Sequence, residues 1–222
     1  MSTTPHRKRG NLLPGNEVSN MTLEALSTPI RLESLSDGTT VVLRPPDLDD
    51  LERSLRFFRE LPKRERKYLR FDITQRQVVE RLIREAQAGR ACRILALVNG
   101  TVVGHGALEL SRGTWQSHIG EIRAIVAPRY RRRGLGAFLI RMLFRTAEQR
   151  DLEKVIVQLA GPQFAARTAC ERLGFLLEAV LRNHVKDADG KTHDLIVMSC
   201  DLDDVSRTLR EFYREEDRHP LD

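Results

Sequence analysis

The stretch from Gly120 to Phe144, GEIRAIVAPRYRRRGLGAFLIRMLF, constrains the fold more than any other, because it reads as a strand, a basic glycine turn and a helix in succession. Residues 122–127 are mostly apolar and rich in β-branched side chains, and Pro128 ends the run. Arg131-Arg132-Arg133-Gly134-Leu135-Gly136 makes the turn, after which apolar residues recur at helical spacing. A turn of this kind opens a helix whose first N–H groups lack intrahelical partners. Its glycines let a ligand approach that backbone, where the helix dipole favours negative charge. The order of elements therefore builds an anion site.

Spacing excludes the commoner phosphate loops. The P-loop pattern G-x-x-x-x-G-K-[ST] is absent, and the dinucleotide fingerprint needs a third glycine where this chain has Leu139. What remains is R-x-x-G-x-G at Arg131, Gly134 and Gly136, behind a strand that ends V-x-P. This pattern resembles the pyrophosphate loop of the GNAT acetyltransferase superfamily, which binds acetyl-coenzyme A (acetyl-CoA). Downstream, VIVQLA at 155–160 is a second apolar run of strand length, followed by a helical stretch, QFAARTACERLGF, that closes at Gly174-Phe175. It is similar to the superfamily block N-x-x-A-x-x-L-Y-x-x-x-G-F: Ala166, Gly174 and Phe175 fit, whereas Gln163, Ala169 and Cys170 replace asparagine, leucine and tyrosine.

The rest of the chain has a compatible order. TTVVLR at 39–44 reads as a first strand, and DLDDLERSLRFFREL and ITQRQVVERLIREAQAGR as two helices. Strands around CRILALV and TVVGHGALEL flank the hairpin signal Asn99-Gly100. LLEAVLRNHVK and THDLIVMSCDL flank a second turn at Asp187-Ala188-Asp189-Gly190. The expected class is α/β, a GNAT (acyl-CoA N-acyltransferase) fold, with a mixed central sheet splayed between residues 120–127 and 155–160 and helices on both faces. The expected organisation is an N-terminal extension at 1–38, comprising a flexible basic arm and a short packed segment, a catalytic domain at 39–202 and a C-terminal helical tail at 203–222.

Composition narrows the setting. A chain of 222 residues with 41% hydrophobic residues can bury a single core. No apolar run reaches bilayer-spanning length, so a soluble protein is expected. Cys92, Cys170 and Cys200 are widely spaced and odd in number, which points to reduced thiols in a cytoplasmic setting and away from zinc or any other metal. The net charge of +6 gathers at His6-Arg7-Lys8-Arg9, in PKRERKYLR at 62–70 and in RYRRR at 129–133. A nucleic-acid-binding module is therefore a rival reading. Aromatic residues make up only 5% of the chain and form no stacking pattern or recognition motif, so solvated faces are the first expectation and a nucleic-acid partner is not.

The resemblance implies an acetyl-CoA-dependent N-acetyltransferase acting on an amine, either a small molecule or a protein lysine; a homodimer is compatible with it. Tyr68-Leu69-Arg70-Phe71 resembles the loop of modules that modify protein lysines, and would form the acceptor wall. A lysine-like amine has a reference pKa of ~10.4, so presenting it neutral at pH 7 costs about 4.6 kcal/mol, against about 1 kcal/mol for an α-amine at ~7.8. A base matters; an acid is dispensable, because a thiol of pKa ~8.5 leaves with little help. The resemblance points to Glu121 as that base, directly or through water, with Glu109 and His105 in reserve. Strand alternation also puts Glu121 and Arg123 on one face, so an ion pair between them is an equal expectation.

By the same resemblance, backbone N–H groups near Ile125 and Val126 would hold the oxyanion where the central strand bulges. Arg131 would support the pyrophosphate turn, and backbone groups from Arg132 and Arg133 through Gly134, Leu135 and Gly136 to Ala137 would bind the phosphates. Cys170 stands where the superfamily carries its tyrosine acid, and reads first as a small buried helix residue. The missing tyrosine also keeps open a non-catalytic acyl-CoA sensor.

Overall fold

Eight strands form one sheet in the order β1-β2-β3-β4-β5-β6-β8-β7, and every neighbouring pair is antiparallel except β5 with β6. The computed structural model describes residues 31–111 and 113–202. The strands are β1 (Arg31–Ser34), β2 (Thr40–Arg44), β3 (Ala91–Val98), β4 (Thr101–Leu110), β5 (Ile119–Val126), β6 (Lys154–Ala160), β7 (Leu176–Lys186) and β8 (Thr192–Asp201). The helices are α1 (Leu51–Glu60), α2 (Lys63–Arg66), α3 (Arg76–Gln87), α4 (Leu135–Glu148) and α5 (Phe164–Arg172). A mixed α/β sheet with helices around it is the architecture expected from the sequence.

Two boundaries differ from expectation. The sheet starts at Arg31, not at residue 39, because β1 pairs with β2 from Arg31↔Leu43 to Ser34↔Thr40. This edge strand is held by its backbone ladder and leaves Leu32 73% exposed, so it carries no hydrophobic signature to read. β5 likewise begins at Ile119, three residues before the apolar run. The short α2 was not anticipated. The basic arm and the expected C-terminal helical tail fall outside the described residues.

The sheet separates two cores. On one face α4 sets Leu135, Leu139 and Leu143 at four-residue spacing against β4 and β5, within a cluster that includes Ile122, Val155, Phe175 and Met198. Leu139 is fully buried, so truncating it to alanine should cost about 2–5 kcal/mol. On the other face α1 and α3 pack Leu55, Phe58, Val79 and Leu82 over Leu95, Leu97 and Val102. The hairpin joining β3 and β4 turns at Asn99 and Gly100, both at positive φ (48° and 75°), as a tight two-residue loop requires.

Candidate active site

The glycine turn folds as the sequence order requires. After β5 a short 3-10 turn covers Pro128–Tyr130, Arg132 takes φ 58° and Gly134 φ 88°, and α4 starts at Leu135. A side chain at Gly134 would sit in a strained backbone conformation. No side chain caps the helix, and its first intrahelical bond is from Phe138 N–H to the Gly134 carbonyl (3.0 Å). The N–H groups of Leu135, Gly136 and Ala137 therefore point out of the first turn without helical partners. A Cβ placed on Gly136 would meet only Val126 Cγ2, at 3.9 Å, so that position is open to an approaching ligand.

The three arginines have separate fates. Arg131 grips the end of β5, with Nε donating to the Val126 carbonyl (2.9 Å), and its two Nη groups pair both carboxylate oxygens of Glu65 on α2 (2.9 and 2.5 Å). Arg133 reaches Asp37 in the β1–β2 turn (2.5 Å) and lies over the Tyr130 ring. Arg132 is exposed and makes no hydrogen bond or ion pair with the described residues.

Next to this turn the sheet opens. β5 and β6 pair in parallel only at Ile119↔Lys154, Gly120↔Val155 and Glu121↔Ile156, and diverge beyond them. Ala127 N–H donates to the Val103 carbonyl (2.8 Å). Continuing that ladder through the β4–β5 register directs the backbone groups of Arg123 and Ile125 toward β4, and those of Ala124 and Val126 into the gap. Ala124 accordingly shares the open side with Val126, in the place expected for Ile125. The expected bulge in β5 is absent, since its register with β4 is unbroken; the irregularity lies between Ala96 and Leu97 of β3.

Glu121 stands at the mouth of the gap. Its Oε1 accepts from Arg123 Nη2 (2.7 Å), the expected same-face pair, and from Arg70 Nη2 (3.1 Å) in the α2–α3 loop. The same Arg70 nitrogen donates to Gln158 Oε1 on β6 (2.7 Å), bridging the two diverging strands. Burial lowers the affinity of the Arg123 guanidinium for its proton, against the opposing pull of Glu121. Gln158 could have been singled out from the sequence, as the polar residue that interrupts an apolar strand.

The reserve candidates are otherwise engaged. Glu109 lies directly across from Glu121 in the register but is paired to the buried Arg93 (2.7 Å). His105 is buried against the Phe58 ring, and burial, reinforced by the Arg93 charge, lowers its pKa to about 3. Cys170 is 6% exposed within the α4 core, where burial pushes its thiol up to about 11. It remains protonated at neutral pH and is packed as a structural residue.

The α2–α3 loop, which carries the segment expected to wall the acceptor, packs against the turn after β7. Lys67 Nζ pairs with Asp187 (3.0 Å) and Asp189 (3.4 Å), Ala188 N–H donates to the Lys67 carbonyl (3.0 Å), and Tyr68 stands edge-on to the His193 ring. Asp187 also bonds His193 Nε2 (2.9 Å). The His193 and Lys67 contacts hold its carboxyl well below the usual range, and Lys67 is raised in turn. Among the described residues no group of three or more His, Cys, Asp or Glu is placed to hold a metal, and no helix is long and apolar enough to cross a membrane.

A splayed β5–β6 pair beside an uncapped, glycine-opened helix is the arrangement of a GNAT domain. Residues 51–175 match the Acetyltransferase (GNAT) family, and the chain belongs to that family. No curated protein matches the sequence. Among solved structures, the GNAT domain of S. lividans PAT superposes with a TM-score of 0.65 at 16% identity, covering 77% of this chain and 96% of that one. A GNAT-family acetyltransferase from Streptococcus pneumoniae gives 0.63 at 19% identity, with 72% and 99% covered. The yncA protein of Salmonella typhimurium, solved with its cofactor acetyl-CoA, gives 0.63 at 18%, with 73% and 94% covered. At these identities the superpositions speak for the fold.

Proposed function

We propose that the protein is an acetyl-CoA-dependent N-acetyltransferase that moves an acetyl group to a primary amine, of a protein lysine or a small molecule, by direct attack in a ternary complex. The observation that carries this reading is the adjacency of the uncapped first turn of α4 to the β5–β6 gap, with Glu121 at its mouth. Acetyl-CoA supplies an acyl thioester: the amine nitrogen bonds to its carbonyl carbon, the C–S bond breaks, the sulfur leaves as thiolate, and the proton the nitrogen sheds on becoming an amide passes through solvent to that thiolate. The N–H groups of Leu135, Gly136 and Ala137 hold the pyrophosphate, and that of Val126, with Ala124 beside it, faces the carbonyl. The proton of the acceptor ammonium passes to Glu121, directly or through one water, while Arg70 and Arg123 fix the carboxylate. No acid is assigned, because a thiolate departs unaided and Cys170 is buried.

Gly136→Glu tests the assignment. The open space at this position accommodates the side chain, so the fold should persist, while its bulk and charge enter the phosphate site. Calorimetric titration should find acetyl-CoA binding abolished with the melting temperature little changed, and unchanged affinity would discard the reading.

A further inference from the structure

A cavity of about 580 Å³ lies between α2, the α2–α3 loop and the turn after β7. Its wall carries five cationic side chains, Lys63, Arg64, Arg66, Lys67 and Arg70, against two carboxylates, Asp72 and Asp189. Those carboxylates are already engaged. Asp72 bonds Thr74 and Gln75, and Asp189 bonds Lys67. Lys67 and Arg70 are committed to Asp187 and Glu121, whereas the side chains of Lys63, Arg64 and Arg66 make no hydrogen bond or ion pair with the described residues. Arg66 Nε is shut away from solvent with no partner, although a buried unpaired donor costs about 1–3 kcal/mol. The wall is thus short of anions, and Arg70 joins it to Glu121.

From this we infer that the amine acceptor carries an anionic group, a carboxylate or a phosphate, which the cavity binds through Arg66 with Arg64 and Lys63 while the amine reaches Glu121. This rests on the acetyltransfer reading above. The cavity volume suits a small molecule, and the same chemistry would take an acidic side chain beside a protein lysine. Arg66 lines the cavity without a paired carboxylate, so a bound anion gives its guanidinium the partner it lacks. The more exposed Arg64 and Lys63 contribute a screened attraction that weakens with salt.

The test is calorimetric binding to the full chain in excess coenzyme A, which keeps the basic coenzyme turn filled. The probes are matched pairs: phosphoethanolamine against ethanolamine, and a glutamate-flanked lysine pentapeptide against its glutamine-flanked version. The expected result is that the anionic member of at least one pair binds about tenfold more tightly, an advantage that Arg66→Gln removes and Arg64→Gln reduces. A preference in the first pair marks a small-molecule acceptor, and in the second an acidic protein segment. Equal affinity within both pairs, or a preference that survives Arg66→Gln, would overturn the inference. Turnover with the same probes separates the two proposals: binding as expected without acetylation sinks the transferase reading and leaves the anionic site standing.

Discussion

Glu121 and His105 lie on the same face of the sheet, and their neighbours give them opposite environments. Glu121 opens on the gap and is fixed by two guanidinium groups, so a glutamine there keeps the size and an acceptor oxygen while losing the proton-accepting carboxylate. Glu121→Gln should lower turnover about a hundredfold at pH 7 with coenzyme affinity unchanged. The deficit should shrink as pH rises toward the acceptor's own pKa, and parallel pH–rate profiles for the two proteins would move the role elsewhere. His105 instead titrates into instability. An unfolded chain binds its proton near pH 6.5, whereas the buried ring resists it until about pH 3. The unfolded state therefore holds more protons between those values, so stability is unaffected above pH 6.5 and falls as pH drops below it. Urea unfolding at pH 7 and pH 5 should show a loss of about 2 kcal/mol from this group, absent in His105→Leu, in a window above the titration of ordinary carboxylates.

At the scale of elements, the glycine turn proposed to hold the coenzyme is braced from outside its own motif. Arg131 connects the last residue of β5 to α2 through a bidentate pair with Glu65, and that guanidinium lowers the Glu65 carboxyl. The pair is about one-third exposed, so its value is that of a surface bridge, up to about 1 kcal/mol and reduced by salt. Glu65→Gln should weaken acetyl-CoA binding by up to about fivefold at low ionic strength and by less at high salt, as calorimetric titration at two salt concentrations would show. An effect on coenzyme affinity that ignored salt would rule out the ionic brace. Periodicity and turn chemistry made the turn, α4 and most strands legible, because each is written in consecutive residues. The partner of Arg131 lies 66 residues away in a basic stretch, where nothing local marks one glutamate as special. The orientation of Ala124 and Val126 was equally hidden, since it follows from ladder phase, which depends on where β5 meets β4.

Over the whole molecule, the succession of most strands was readable, but the contact between the α2–α3 loop and the turn after β7 was not, because it joins Lys67 to a residue 120 positions away. The turn after β7 is drawn onto the α2–α3 loop by Asp187, whose buried carboxylate receives Lys67, His193 and the backbone N–H groups of Asp189 and Lys191. A depressed carboxylate contributes stability that is present above its unfolded pKa of ~3.9 and is lost only as pH falls into the strongly acid range. A raised ammonium contributes stability that is present below its unfolded pKa of ~10.4 and is lost only as pH rises beyond it. The clasp is therefore closed throughout the neutral range. Asp187→Asn should lower the melting temperature by a few degrees by the same margin at pH 6 and pH 9, and raise the acceptor KM while leaving coenzyme affinity intact. Asp189→Asn, at the exposed end of the clasp, should do neither to any large extent. If Asp187→Asn instead left the acceptor KM unchanged while lowering stability, the turn would be a brace for the sheet alone, and the acceptor wall would end at Arg70.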